Sequence, residues 1–181
     1  MVGLLLIGAL QDFCEPERVL ICGSIRRKKA LVGDVEVLFV PKLMPVASGD
    51  FFAPPTLVPA TDAVLEKLLA DGVLAKRQNV NGSEMWGALN KLAVHVPTGI
   101  PVDLFTATRE NWWNYVVCRT GGAENNVAIA SAAMRMGWKW NPYGAGFSRA
   151  VGLGRETIPV HSEREVFEFV DMKYKEPEHR Q

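Results

Sequence analysis

Cysteine is scarce in this chain, and no apolar run is long enough to span a membrane. Three cysteines occur in 181 residues, and the spacing of Cys14, Cys22 and Cys118 fits neither a disulfide framework nor a zinc site. The apolar stretch over residues 2–10 is too short for a membrane helix and lacks the basic start and cleavage signal of a secretory leader. We therefore expect a cytoplasmic protein with reduced thiols and no membrane partner.

An excess of charge of one sign is also missing. Twenty Lys and Arg balance twenty Asp and Glu, whereas proteins that hold duplex DNA usually present a marked basic surface. The charges are unevenly distributed, because residues 18–29 hold five Lys or Arg and no acid. Residues 121–155 hold four basic residues and one acid. A locally basic cleft is thus compatible with the neutral total.

Two acidic residues, separated by one residue, stand at the start of an apolar strand pattern. Side chains alternate faces along a strand, so Asp34 and Glu36 point the same way. Carboxylates this close repel each other and raise a pKa unless a cation neutralises them. A third carboxylate, Asp103, stands among apolar strand residues, where burial is costly unless the acid is paired or ligates a metal. If the two strands are neighbours, the three carboxylates suit two divalent ions about 3.5 to 4 Å apart.

A small-residue turn and a group of cations precede these carboxylates. Gly23 and Ser24 interrupt a buried strand pattern that begins at residue 18. Backbone amides at such a turn can bind phosphate, and a serine hydroxyl can add a hydrogen bond. Four basic residues follow directly: Arg26, Arg27, Lys28 and Lys29. A polyphosphate is the ligand that uses both a small-residue turn and fixed cations.

In their order and spacing these motifs resemble the nucleotidyltransferase superfamily, and more closely the palm of family X DNA polymerases. The palm pattern is Gly-Ser, nine residues, Asp-x-Glu and a distant Asp between apolar residues. Later motifs resemble the thumb of that family: Thr120-Gly121-Gly122, Asn126, Gly137 and Asn141-Pro142-Tyr143-Gly144. The likeness runs from about residue 18 to about residue 176.

The resemblance implies a role for each matched residue. Two Mg²⁺ or Mn²⁺ ions would be held by the catalytic residues Asp34, Glu36 and Asp103. Asp103 would also lie nearest the attacking 3′-hydroxyl. The triphosphate would be lined by Gly23, Ser24, Arg27 and Gly33, and the sugar and base of the nucleotide by Gly121, Gly122 and Asn126. Candidate DNA contacts are Arg26, Lys28, Lys29 and Tyr143.

The resemblance and the element pattern together predict an α+β fold. A nucleotidyltransferase palm, with a mixed sheet and flanking helices, would occupy residues 1–107, and a small helical thumb residues 108–181. Predicted strands cover residues 18–22, 35–40, 73–77, 87–96 and 102–107. Predicted helices cover residues 4–13, 63–70, 109–119, 122–136 and a short segment that begins at Ser162. The Pro-rich residues 41–59, with Phe51 and Phe52, are expected to form an ordered surface loop or flap.

Helix caps are predicted from the residues that precede each helical pattern. Thr61 or Asp62 is expected to cap the helix over residues 63–70, and Thr108 is expected to cap the helix over residues 109–119. Ser162 and Glu165 have the spacing of a capping box.

The leading functional interpretation is a DNA-directed DNA polymerase of the family X type. It would transfer a nucleotide from a nucleoside triphosphate to a primer 3′-hydroxyl on a primer/template or gapped duplex, fill gaps in DNA repair, and act as a monomer. The alternative is a template-independent nucleotidyltransferase that acts on a nucleic-acid end or a small acceptor. A binding module that kept only the fold is a third reading, against which the three acids count.

Departures from the family pattern bear on this choice. Pro101 and Ala130 stand where relatives carry Arg, and Cys118-Arg119 replaces an aromatic pair before Thr-Gly. Together with the neutral net charge, the missing Arg positions favour the template-independent alternative. Glu36 replaces the usual Asp, and its longer side chain still reaches a metal.

Overall fold

The computed structural model of the chain describes residues 1–47 and 54–181. Their contacts divide the chain into two compact units. The first unit comprises residues 1–20 and 37–106, and the second comprises residues 21–36 and 107–181. Residues 21–36, which carry part of the predicted palm motif, thus group with the later residues. The predicted division into palm and thumb at residue 107 stays a prediction.

Both units contain helices and strands. In chain order the α-helices are α1 (Val2–Leu10), α2 (Gly23–Arg26), α3 (Ala60–Ala70), α4 (Trp112–Thr120), α5 (Ala123–Arg135) and α6 (Glu163–Glu168). The strands are β1 (Cys14–Ile21), β2 (Val35–Pro41), β3 (Leu43–Val46), β4 (Thr56–Pro59), β5 (Leu74–Lys76), β6 (Asn90–His95), β7 (Ile100–Thr106), β8 (Lys139–Trp140), β9 (Gly146–Val151) and β10 (Gly154–Pro159).

A five-stranded sheet forms the framework of the first unit. Its strand order is β1-β2-β7-β6-β5, so the five predicted strands are all present in one sheet and the predicted α+β class is confirmed. Buried residues alternate along β6, where Ala93 and His95 point into the core. In the antiparallel pairing of β6 with β7, Ala93 lies opposite Val102 and Leu92 lies opposite Asp103. Asp103 is therefore on the less buried face of β7.

The Pro-rich residues 41–59 are more regular than the predicted loop. β3 and β4 pair as an antiparallel ribbon, with Leu43 opposite Pro59 and Val46 opposite Thr56. Prolines stand within both strands, which a two-stranded ribbon tolerates because each strand has one unpaired edge. Phe51 and Phe52 lie outside the described residues.

The second unit has its own core. The side chains of α4, α5, α6 and the β8–β10 sheet meet in one cluster, in which Val117, Ile129, Phe147 and Phe167 are fully buried. The rings of Phe147 and Phe169 stack with centroids 3.9 Å apart. Aromatic and aliphatic burial of this size accounts for the independent compactness of the unit.

Three short strands of the second unit were missing from the predicted helical thumb. They form an antiparallel sheet in the order β10-β9-β8. A Cβ on Gly146 would collide with the carbonyl of Ile158 in the facing strand, so glycine allows this close backbone approach. The hairpin from β9 to β10 has little apolar alternation, because most of its residues are exposed. This absence of period-two burial explains why its strands were not predicted.

Two of the three predicted caps are wrong, because α3 and α4 begin elsewhere. α3 begins at Ala60, after Pro59, so Thr61 and Asp62 are inside its first turn. α4 begins at Trp112, since Thr108 and Asn111 bond each other in a preceding turn. The capping signal at α6 is confirmed: the Glu165 N–H donates to the Ser162 hydroxyl at 3.1 Å. The Glu165 carboxylate accepts from the N–H of His161 rather than of Ser162.

The structure also bears on the thiols and on membrane insertion. Cys14, Cys22 and Cys118 are not joined in disulfide bonds. Burial raises the pKa of Cys14 and of Cys22 to about 12, so both stay protonated at neutral pH. Within residues 1–47 and 54–181, no helix combines the length and apolar character needed to cross a membrane.

The Ser162 cap generates a stability prediction. Replacing Ser162 with Ala leaves the Glu165 N–H without its acceptor, and we expect the free energy of unfolding to fall by about 1 kcal/mol in urea titrations. Ser162→Asp keeps a side-chain acceptor and should stay close to the parent. Equal stability of the Ala variant and the parent would contradict a capping role.

Candidate active site

Asp34 directly precedes β2 and Glu36 is the second residue of that strand, and both belong to the second unit. Val35 and Val37 are buried, whereas the two acids are partly exposed. The predicted alternation is confirmed at these four positions. Both carboxylates therefore lie on one side of the chain as it enters β2.

The predicted phosphate turn lies directly against Glu36. The N–H of Cys22 donates to the carbonyl oxygen of Glu36 at 2.8 Å, which aligns the end of β1 with the start of β2. Gly23 follows with a φ of +61°, and a Cβ built on it would lie 2.9 Å from the Glu36 carboxyl carbon. The backbone conformation favours glycine at this position, and a larger residue would have to move the Glu36 side chain. Ser24 lies in the short helix α2 rather than in an open turn.

Two cations of the predicted phosphate motif contact the Thr-Gly-Gly segment. Arg27 donates through Nη1 to the carbonyl oxygen of Thr120 at 2.6 Å. Arg26 donates through Nη1 to the hydroxyl of the same threonine, also at 2.6 Å. The structure therefore joins two motifs that are more than ninety residues apart in the sequence.

A carboxylate that the sequence did not single out organises these arginines. Glu163 accepts hydrogen bonds from Arg26 and from Arg180, and the Arg180 side chain is completely buried. Arg180 also donates to the Lys175 carbonyl and to the Tyr174 hydroxyl. Burial alone would raise the pKa of Glu163, but the hydrogen bonds and charges of the two arginines outweigh it and hold this pKa below its ordinary value. A DNA contact by Arg26 would have to break these bonds or share the guanidinium with Glu163 and Thr120.

Gly121 and Gly122 are tightly enclosed. A Cβ on Gly121 would collide with the Asn126 side chain, and one on Gly122 with the backbone of Gln181. Asn126 donates from its amide nitrogen to the Cys118 carbonyl at 2.9 Å, while its buried Oδ1 has no hydrogen-bond partner among the described residues. A buried acceptor of this kind is suited to a donor from a ligand or a water. Asn126 therefore keeps its place as a candidate nucleotide contact.

Tyr143 stands in a turn that is held by the buried side chain of Asn114. Asn114 donates to the carbonyls of Asn141 and Gly144 and accepts from the Trp140 indole at 3.1 Å. The Tyr143 ring packs edge-on against Tyr115 with centroids 5.2 Å apart, and more than half of Tyr143 is exposed. Tyr143 is thus presented to solvent on a fixed turn, as a nucleic-acid contact requires.

The remaining predicted residues of the second unit lie at its surface. Lys28 pairs with Glu178 at 3.2 Å, and Lys29 bonds the side chain of Gln181. Gly33 is exposed, and a Cβ on it would meet no described atom within 4 Å. Its role at the triphosphate stays a prediction.

Asp103, the third predicted carboxylate, belongs to the first unit. Its side chain is 18% exposed and accepts a 2.5 Å hydrogen bond from Arg77. Its convergence with Asp34 and Glu36 stays a prediction.

The donor chemistry of the three acids fits magnesium, which prefers carboxylate oxygens. The Glu36 side chain packs close to Gly23, so one of these carboxylates lies beside the predicted phosphate turn. Among the described residues, no group of three or more His, Cys, Asp or Glu is arranged as a metal-ligand set. The two-metal site accordingly stays a prediction.

Three polar residues with organising roles escaped sequence-based prediction: Glu163, Asn114 and Arg77. Each acts on a partner at least 26 residues away, so no local spacing reports it. The available signal was weak, namely a charged or amide residue at an otherwise apolar position.

Comparison with known families bears on the second unit. Residues 115–181 match the DNA polymerase beta thumb family. The match begins within α4 and includes the Thr-Gly-Gly segment, Asn126 and the turn with Tyr143. It supports a relationship to the polymerase beta-like family X. The palm motifs lie outside the matched residues, and their resemblance stays a prediction.

Gly23 gives a prediction with a matched control. Gly23→Ala and Gly72→Ala both force alanine into a positive φ, at +61° and +70°, but at Gly72 a Cβ meets no described atom within 4 Å. We expect each variant to lose about 1 kcal/mol of stability. Only Gly23→Ala displaces the Glu36 carboxylate, so in the nucleotidyl transfer that the family resemblance implies only this variant should lose activity, by at least about tenfold. Equal activity of the two variants would contradict the placement of Glu36 in the site.

The Glu163 cluster predicts a pH dependence of stability. Because the folded-state pKa of Glu163 is lowered, its contribution is complete above the unfolded-state value of about 4.3 and is lost as the pH falls through the folded-state value. Urea titrations should show a steep stability loss below about pH 4.3, and Glu163→Gln should flatten it. At neutral pH this variant should lose roughly 3 kcal/mol, because two arginines lose their shared anion.

The control is Glu156→Gln, which removes an exposed carboxylate paired with Arg149. It should keep the acid dependence of the parent. A Glu163→Gln variant with an unchanged acid dependence would show that other groups cause the loss.

Proposed function

We propose that this protein is a DNA polymerase of the family X type that transfers a nucleotide from a nucleoside triphosphate to a primer 3′-hydroxyl. The observation that carries the proposal is the contact between two predicted motifs. Arg26 and Arg27, from the phosphate motif, bond Thr120 within the residues that match the polymerase beta thumb. A thumb joined to a phosphate-binding segment is the arrangement that a nucleotide-polymerising enzyme needs.

Further support comes from the start of β2. Gly23 packs on the Glu36 carboxylate, so the phosphate motif and one candidate metal ligand are adjacent. Asp34 lies on the same side of the chain as Glu36. A metal-bound triphosphate presents both phosphate oxygens and divalent cations, and this combination of groups suits it.

The proposed chemistry assigns each group a task. Asp34, Glu36 and Asp103 would hold two magnesium or manganese ions, which supply charge neutralisation at the reacting phosphate. Arg27, with Gly23 and Ser24, would bind the β- and γ-phosphates. Asn126 would accept a hydrogen bond from the nucleotide and so orient it. Asp103 would receive the proton of the 3′-hydroxyl as that oxygen attacks the α-phosphate and pyrophosphate leaves.

A template-independent nucleotidyltransferase is the second candidate. The observation in its favour is the neutral net charge, together with the internal use of basic side chains. Arg26 and Arg180 are bound to Glu163, and Lys28 is paired with Glu178. Fewer cations are then available for duplex phosphates, which weakens the non-specific attraction that template-directed enzymes use.

Extension of a labelled primer separates the two candidates. The protein is incubated with Mg²⁺ or Mn²⁺, a gapped duplex and each deoxynucleotide singly, and the products are resolved by length. Incorporation of only the template-matched nucleotide supports the polymerase. Extension that ignores the template supports the alternative. No extension with either metal on gapped, recessed or single-stranded primers contradicts both.

Carboxylate variants test the site within the same assay. Asp34→Asn, Glu36→Gln and Asp103→Asn should each reduce transfer by at least about 100-fold, because each removes a carboxylate that would hold the divalent cations, and these cations offset the negative charge that develops in the reaction. Asp71→Asn is the matched control, since its carboxylate pairs with Lys67 on the surface of the first unit. Activity of Asp103→Asn equal to that of the control would remove Asp103 from the site.

A further inference from the structure

Arg77 and Asp103 belong to one cross-strand row in the first unit. Arg77 directly follows β5, and its N–H donates to the Leu92 carbonyl at 2.9 Å. Leu92 lies opposite Asp103 in the pairing of β6 with β7. Opposed residues of antiparallel strands point to the same face, so the side chains of all three residues share one face of the sheet.

The Arg77 side chain crosses a full strand to reach the acid. Neighbouring strands are about 4.8 Å apart, so the backbones of Arg77 and Asp103 are separated by about 10 Å. An extended arginine covers this distance over Leu92, and its Nη2 donates to Asp103 Oδ1 at 2.5 Å. Its Nε makes a longer bond of 3.4 Å to the Ala93 carbonyl. The Arg77 guanidinium therefore bonds both to the backbone of β6 and to the Asp103 carboxylate.

The surroundings of Asp103 on its own strand explain why such a partner is needed. Pro101 and Phe105 share its face of β7, and neither carries a charge. The Asp103 side chain is 18% exposed, and that of Arg77 is 33% exposed. A carboxylate this far withdrawn from water requires a compensating cation. The guanidinium comes from a strand two places away in the sheet.

We propose that Arg77 is a positioning residue for Asp103: it fixes the carboxylate in the orientation that the transfer reaction uses. This inference rests on the proposed function. A carboxylate has about four lone-pair positions, and Arg77 bonds to Oδ1, so this bond is compatible with metal ligation by the same group. The planar guanidinium sets direction as well as charge, which a lysine ammonium does less well.

Kinetics give the first test. Arg77→Met removes the donor while keeping much of the side-chain length, and we expect kcat to fall about 10- to 100-fold. KM for the nucleoside triphosphate should change less than about threefold, because Arg77 acts through Asp103. Arg77→Lys keeps the charge and should recover part of the lost kcat. An Arg77→Met enzyme with parental kcat would overturn the inference.

Lys76→Met is the matched control. Lys76 is the preceding residue, so strand alternation turns it to the other face, and its ammonium lies 5.5 Å from the centre of the Trp86 ring. This variant should keep the parental kcat. Thermal unfolding of both Met variants shows whether a kinetic loss reflects local positioning or unfolding. A kcat loss that occurs equally in Lys76→Met would overturn the specific role of Arg77.

Guanidinium NMR tests the contact without turnover. In ¹⁵N-labelled protein, the Nη–H signals of Arg77, assigned from their loss in Arg77→Met, should be shifted and slowed in exchange, and Asp103→Asn should abolish both effects. Addition of Mg²⁺ with a non-hydrolysable nucleoside triphosphate should leave them in place. Loss of both effects on this addition would overturn the proposal, because the bond between Arg77 and Asp103 would then be absent when metal and nucleotide are bound.

The two proposals fail in different ways. A parent protein that transfers no nucleotide contradicts the proposed function and, with it, the positioning role. An active parent with an equally active Arg77→Met variant contradicts the positioning role alone.

Discussion

The second unit depends on a single carboxylate shared by two arginines. Glu163 begins α6, Arg26 ends α2, and Arg180 lies in the C-terminal residues, so one anion connects three distant segments. Arg26 extends this connection to Thr120. A buried guanidinium without an anion is costly by several kcal/mol, which makes the carboxylate indispensable for this arrangement. The phosphate motif therefore takes its position from a residue that has no predicted part in the chemistry.

Steric enclosure of glycines is the second constraint. A Cβ at Gly23, Gly121 or Gly122 would collide with Glu36, Asn126 or the Gln181 backbone, respectively. The sequence alone attributes these glycines to ligand binding. In the structure, another part of the protein also packs against each glycine, in the space that a Cβ would occupy. Packing and ligand approach thus select the same residue type. A glycine in such a motif is weak evidence for a ligand until its surroundings are known.

Local patterns predicted the elements better than the contacts between them. The strand over residues 35–40 follows from its apolar run, and the cap at Ser162 follows from its spacing. The start of α4 was misplaced because Thr108 and Asn111 satisfy each other before the helix begins. The β9–β10 hairpin was missed because exposure on both faces leaves no alternation. The roles of Glu163 and Arg77 could not be predicted, because side-chain contacts between residues 137 and 26 positions apart produce no periodic pattern in the sequence.

Several basic side chains of this electrically neutral chain pair with its own carboxylates. A cation that is bound to a carboxylate of its own chain is a weaker attractor of DNA, because the pair must be separated or must share the phosphate. Arg26, Arg180 and Arg77 are all engaged in this way. Counterion release on DNA binding then depends on the exposed cations, among them Lys29 and Lys139. The dependence of DNA affinity on salt then reports these exposed cations, whereas a cation held by a carboxylate of its own chain adds less to it.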